Sequence, residues 1–375
     1  MKNTLAMYRL FGSLTAIVLM AGCGGQASVM EDGRGPVHTI GVIAPLTGNG
    51  VNVGRPYVDG LQAAMQEHND ASDVFLMRLA VQDGRLDPAE SVAGVQALLA
   101  KDDPAAFAVV FGLPAIAVSP ILQQAEKLMM YEAYIESPLE NPFAFKTGFD
   151  AHAGCKRLVE YAKKNGKYRK LGLLMARVEY SEICAAEART IEPDLTEIWY
   201  EYGLKDFRSL LYRAHEQNVD TLLVMGIDYE MTSILTQIGD MGYDMNVLCG
   251  VAAVECFFPG ITESARPEVL EGTLAADYVT PDFLASNFAR DYLAQNPDVN
   301  PISIVFAAAG YDTGMYLADA LAQCPDEDGP CIVDALERAT GPSPALGSRG
   351  FTDHALDLPI HLYAFSQGRW TVIEE

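Results

Sequence analysis

Beyond its first 30 residues this 375-residue chain carries six cysteines: Cys155, Cys184, Cys249, Cys256, Cys324 and Cys331. Thiols can ligate a metal, act as nucleophiles or pair. No two of them stand as CxxC, and none of the histidines forms an HExxH, so zinc is not indicated. An even number in an exported chain reads as disulfides, with 15 possible pairings. The best local pair is Cys324 with Cys331, because the turn-rich interior of CPDEDGPC lets its ends meet. Cys249 with Cys256 comes next, which leaves Cys155 with Cys184. For the middle pairs, buried free thiols are the alternative. Nucleophilic catalysis needs a base beside the nucleophile, and no G-x-S-x-G elbow is present. His38 and His361 lie in apolar, strand-like runs and read as packed residues. His68, His152, His215 and His354 read as exposed. The carboxylates Glu179 and Glu182 read as a solvated face rather than an acid/base pair. GNGVNVG (Gly48–Gly54) comes close to a dinucleotide fingerprint, but Val53 stands where its third glycine belongs. No enzyme activity, cofactor or metal is expected.

The elements that must position any site alternate along the chain. VHTIGVIA (Val37–Ala44) reads as a buried strand and Arg55–Asn69 as a helix. VFLMRLAVQD (Val74–Asp83) is a strand, and Asp87–Lys101 a helix with Asp87 as N-cap and Pro88 in its first turn. FAVVFG (Phe107–Gly112), a helix at Ser119–Lys127 and LMMYEA (Leu128–Ala133) follow. The pattern then restarts, with strands at KLGLLMA (Lys170–Ala176), EIWYEY (Glu197–Tyr202), TLLVMG (Thr221–Gly226) and NVLCG (Asn246–Gly250), separated by helices. Two long helices, near Pro281–Gln295 and Ile302–Gln323, and two late strands, HLYAF and RWTVI, close the chain. Continuous apolar strands alternating with helices predict parallel sheets covered on both faces.

Composition places the chain in a compartment. Lys2 and Arg9 precede a run of 12 mostly apolar residues, Leu10–Ala21, which is short for a membrane span and suits a signal peptide. Ala21-Gly22-Cys23 resembles the bacterial lipobox, in which the cysteine takes a lipid after cleavage before it. Residues 1–22 are then a lipoprotein signal peptide and residues 23–36 a flexible, Gly-rich tether. Gly24 stands where an inner-membrane-retention aspartate is found, which favours an outer membrane if there are two. Half of the residues are apolar, and the net charge is −24. That charge repels nucleic acid and anionic headgroups. The remaining length suggests two domains.

The order of motifs resembles one family over nearly the whole mature chain. IGVIAPLTGNGVNVGRPYVDGLQAA is similar to the opening of the branched-chain amino acid binding proteins of ABC transporters. VQDGRLDPAESVAGVQALLAKDDPAAFAVVFG resembles their next strand–helix–strand, and NPFAFKTGFD their first crossover. VDTLLVMGIDYEMTSILTQIGDMGYDMNVLCG resembles their second-lobe strand–helix–strand, and VFAAAGYDTGMYLADAL their long returning helix. The resemblance implies a periplasmic binding protein-like I fold: α/β, with two doubly wound parallel-sheet lobes joined by three crossovers. Residues 37–146 with 276–344 would form lobe 1, and 147–275 with 345–375 lobe 2. Ligand would sit between the lobes, since open α/β sheets bind beyond the carboxyl ends of their strands, and hinge closure would bury it.

The family's grip on an amino acid is largely missing. In GLPAIAVSP, the residues Pro114, Ala115, Ile116 and Ala117 stand where hydroxyls are expected, and Ser119 is too far along. In YEAYIESP, Ile135 lies where a threonine is expected. Tyr180 in RVEYSE does match the family's tyrosine. The resemblance points to a pocket of Leu113, Tyr134, Glu136, Tyr180, Asp228, Tyr229 and Glu255, rich in aromatics and carboxylates, which favours a neutral or cationic organic ligand. The chain therefore reads as a lipid-anchored, periplasmic or cell-surface solute-binding protein. It would serve an ABC transporter permease with a small ligand, amino acid-like or otherwise polar. The alternative is an outer-membrane lipoprotein of the same fold that regulates or senses through protein partners.

Overall fold

The computed structural model describes residues 35–373, apart from 49, 202, 227, 251–266, 280–282, 284, 298 and 300–302. Two seven-stranded sheets organise them. The first begins with β1 (Val37–Ala44), β2 (Leu76–Asp83), β3 (Ala106–Val110), β4 (Leu128–Glu132) and β5 (Ala144–Lys146), alternating with α1 (Val51–Ala71), α2 (Pro88–Lys101) and α3 (Gly112–Gln124). The second contains β6 (Leu171–Ala176), β7 (Thr196–Tyr200), β8 (Thr221–Met225), β9 (Asn246–Cys249) and β10 (Leu274–Asp277). Between these strands run α5 (Glu179–Ile191), α6 (Arg208–Glu216) and α7 (Asp228–Met241), and α4 (Ala151–Lys164) precedes them. Beyond β10 come α8 (Asn287–Gln295), α9 (Ser303–Gln323) and α10 (Gly329–Glu337). The chain ends in two hairpins, β11 (Phe351–Thr352) with β12 (Ala355–Leu356) and β13 (His361–Ser366) with β14 (Arg369–Val372).

The inner strand orders are β2-β1-β3-β4-β5 and β7-β6-β8-β9-β10, all parallel. Each sheet therefore has a switch point, between β1 and β3 and between β6 and β8, where neighbouring connections leave on opposite faces and open a crevice at the strands' carboxyl ends. The central strands β3, β4, β6 and β8 are buried throughout, as a sheet covered on both faces requires. Asp87 caps α2 as its sequence predicts, accepting from the backbone N–H groups of Ala89 and Glu90.

Helices α1 and α9 pack so closely that a Cβ on Gly310 would stand 1.9 Å from the Tyr57 carbonyl oxygen. Tyr57 there donates to Thr313 Oγ1 at 3.0 Å. The return helix is thereby fixed to the first lobe.

Three segments pass between the sheets: after β5, after β10 and between β12 and β13. Phe149 of the first and Tyr278 of the second stack with ring centroids 5.4 Å apart. The lobe division expected from sequence needs two corrections. Residues 351–356, assigned above to lobe 2, form an edge hairpin of the first sheet, because β12 pairs with β5 and Phe351 packs edge-on against Phe145 at 5.1 Å. Residues 276–277, assigned to lobe 1, complete β10 in the second sheet. The edge strands also depart from a purely parallel pattern, since β13 runs antiparallel to β10.

The disulfides Cys155–Cys184, joining α4 to α5, and Cys324–Cys331 are formed, with Cα separations of 5.3 and 5.9 Å. Cys249 is disulfide-bonded too; its expected partner Cys256, like Cys23, lies outside the described residues.

Candidate functional site

The carboxyl ends of β3, β4 and β6 bring side chains of both lobes together. After β3, Phe111 adopts φ +77°, a left-handed conformation unusual for a side chain of its size, and α3 starts at once with Gly112. The helix thus begins seven residues before Ser119, the start expected from sequence. Pro114 is no obstacle, because the first helical turn needs no N–H donors. Leu113 lies in that turn, 59% exposed. Pro114 and Ala115 are buried, and Ser119 serves the lobe itself: its hydroxyl accepts from Asn141 Nδ2 at 3.2 Å. Ile135, in the place of a threonine, is 4% exposed and its carbonyl accepts from Tyr131 at 3.0 Å. Of the positions where hydroxyls would grip a ligand, Pro114, Ala115 and Ile135 have therefore joined the core, whereas Ile116 is 40% exposed.

From β4, Tyr134 reaches the second lobe and meets Tyr180 of α5 edge to face, with ring centroids 5.6 Å apart. One turn along, Ile183 of α5 packs against the first lobe's apolar cluster, to which Val109, Tyr131 and Ile135 belong. Glu179, the first residue of α5, comes close to the start of α3: its Oε2 lies 3.3 Å from where a Cβ on Gly112 would stand. Desolvation holds its carboxyl above the usual carboxylate range. Glu179 is exposed, as the solvated face read from sequence requires, but it also lies at the junction of the lobes, because the loop after β6 delivers the amino end of α5 there.

Beneath this seam is a buried polar cluster that the sequence reading missed. Glu132, at the end of β4, is 5% exposed and accepts from Thr147 Oγ1 at 3.0 Å. Burial pushes its carboxyl up to about 7, against the opposing effects of Thr147 and Lys146. Lys146 is itself buried and reaches Glu136 Oε1 at 3.3 Å. Burial, with Glu132 nearby, also raises the phenol of Tyr278 in the second crossover. The only signals in sequence were a charged residue ending each of two apolar runs, LMMYE and FAFK. Of the expected pocket, Tyr134 and Tyr180 touch, Glu136 joins Lys146, and Leu113 lines α3. Asp228 and Tyr229 begin α7, with side chains outside the described set, and Glu255 lies outside it altogether.

Such an arrangement offers aromatic faces and carboxylates between two lobes. Among the described residues no group of three His, Cys, Asp or Glu side chains could hold a metal ion, and no helix is long and apolar enough to cross a membrane.

The family profile for periplasmic binding proteins matches residues 38–369. The chain belongs to the periplasmic binding protein family. Solved members share its architecture at low identity. A leucine-binding protein from Thermotoga maritima is 19% identical over 90% of this chain and 98% of its own, with a TM-score of 0.73. The branched-chain amino acid transporter substrate-binding protein of Streptococcus pneumoniae, in complex with isoleucine, is 19% identical over 90% of this chain and all of its own, with a TM-score of 0.74. An ABC transporter solute-binding protein from R. palustris, in complex with 4-hydroxybenzoate, is 17% identical over 90% of this chain and 96% of its own, with a TM-score of 0.73. No curated protein sequence matches the chain. In this periplasmic binding protein the seam of Tyr134, Tyr180, Ile183 and Glu179 lies beyond the carboxyl ends of the strands, where the two-lobed fold places its crevices.

Proposed function

We propose that this protein is the extracytoplasmic solute-binding component of an ABC importer. It captures a small organic ligand between its lobes and hands it to a membrane permease. The observation that carries this reading is the meeting of Tyr134 and Tyr180, one from each lobe, beyond both sets of strand ends. A ligand bound there touches both lobes at once, so its contacts are best in the closed state, and that difference drives closure. Relatives of the same fold in complex with isoleucine and with 4-hydroxybenzoate support a small organic ligand. The leader up to Cys23 supports attachment to the membrane by lipid, in the periplasm or at the cell surface.

The ligand site comprises Leu113, Tyr134, Glu136 and Tyr180, with Asp228, Tyr229 and Glu255 as the second lobe's further contribution. Burial of Pro114, Ala115 and Ile135 favours a ligand other than a free α-amino acid. The same substitution of core residues for a grip is the one observation favouring the second reading, a lipoprotein that works through protein partners.

A thermal-shift screen against amino acids, amides, polyamines, nucleobases and small aromatics separates the two. A ligand specific to the native state adds about 2.7 kcal/mol at a hundredfold excess over its dissociation constant. Tyr180→Ala combined with Asp228→Ala is expected to abolish that shift and leave the fold intact; normal binding by the double variant would show the pocket to be elsewhere.

A further inference from the structure

We propose that Glu179 selects a ligand group carrying positive charge, an inference that rests on the interlobe site being a solute site. The amino end of α3 has no side-chain cap, and a helix amino end attracts anions. A ligand carboxylate would be stabilised there, but the second lobe already brings one of the protein's own: Glu179 Oε2 stands 3.3 Å from the Cβ position of Gly112. The carboxylate remains reachable from solvent.

The neighbouring charged side chains have side-chain partners and Glu179 has none among the described residues. Glu136 is paired with buried Lys146 at 3.3 Å, and Glu132 is buried on Thr147 at 3.0 Å. Arg177, just before α5, is directed to Glu201 at 3.5 Å and lies over the Trp199 ring at 5.6 Å. Glu179 has neither a hydrogen bond nor an ion pair among the described residues. Burial, and after it Glu136 and Glu179, raise the phenol of Tyr131.

Beside them the Tyr134–Tyr180 corner presents aromatic faces, which attract cations. An ammonium or guanidinium group could face Glu179 and those rings together, binding the lobes to each other. A carboxylate would meet Glu179 as a like charge, and the Ser119 hydroxyl is engaged by Asn141.

Matched probes that differ only in charge test this. Titration calorimetry compares tyramine with 4-hydroxyphenylacetate and putrescine with succinate, on the wild-type protein, Glu179→Gln and, as a control one turn along α5, Glu182→Gln. The wild type is expected to favour the amine of at least one pair by tenfold or more. Glu179→Gln should lose at least tenfold in amine affinity with an unchanged unfolding midpoint, and Glu182→Gln should bind as the wild type does. Equal or tighter binding of the carboxylates, or amine affinity untouched by Glu179→Gln, overturns the role of Glu179 while solute binding stands. Failure of every probe, together with a blank thermal-shift screen, overturns both readings.

Discussion

Glu132 shows how a single residue can tie this fold to pH. Its carboxyl rises from 4.5 to about 7 because the native state takes it out of water. The folded chain therefore holds that proton more tightly than the unfolded chain does. The resulting stabilisation is fully present below about pH 4.5 and is lost as pH rises through 7. A shift of this size corresponds to about 3 kcal/mol. Glu132→Gln removes the titration but keeps an oxygen that can accept from Thr147. The difference in urea stability between variant and wild type should therefore move by about 3 kcal/mol in the variant's favour between pH 4.5 and pH 8. An unchanged difference would mean that Glu132 titrates normally. Lys146 and Glu179 belong to the same scale. One is a buried cation matched by Glu136, the other a carboxylate with no match, and only the fold distinguishes them.

At the scale of elements, the amino ends of α3 and α5 form the junction at which the proposed site lies. Phe111 takes a strained φ so that α3 can begin directly after β3. The cost brings Gly112 and Leu113 to the seam. Helix α5 is anchored from behind by the Cys155–Cys184 bridge to α4, which fixes the helix that carries Glu179, Tyr180 and Ile183. A bridge spanning 29 residues restricts the unfolded chain by about 3–4 kcal/mol. Replacing both cysteines by alanine should lower urea stability by about that amount. It should also weaken ligand binding, because the α5 face loses its support. Retained affinity despite lost stability would limit the bridge to a role in folding.

For the whole molecule, the proposed capture by closure makes the balance between open and closed lobes the relevant quantity. Ile183 of the second lobe packs against the first lobe's apolar cluster, which includes Val109, Tyr131 and Ile135, and Phe149 stacks on Tyr278 across two crossovers. The first contact must break on opening, whereas the second lies in the connecting segments and can persist. Ile183→Asp places a charge against an apolar layer and should favour the open state. Small-angle scattering is expected to report a larger radius of gyration for this variant than for the wild type. A saturating ligand should reverse part of the increase. Identical scattering curves for the two proteins would remove Ile183 from the closure contact.

What the sequence determined by itself is the alternation of buried strands and amphipathic helices, which follows from local apolar pattern and turn chemistry. That pattern was enough for covered parallel sheets, for the Asp87 cap and for the Cys324–Cys331 bridge; the two doubly wound lobes came from the family resemblance, and Cys155–Cys184 was only the pair left over, with free thiols as the alternative. The resemblance pointed to Tyr134 and Tyr180 separately; only the structure brings their rings together. Local pattern could not decide which strand end faces which. The hairpin at residues 351–356 joined the first sheet because β5 offered an open edge, a fact about a strand 200 residues away. Glu179 and Glu182 look alike in sequence, one helical turn apart. Tertiary structure alone set Glu179 against Gly112 of the other lobe, and buried Glu132 and Lys146 beneath it. Charge acquires meaning from its distance to other charges and to water, and those distances exist only once the lobes have met.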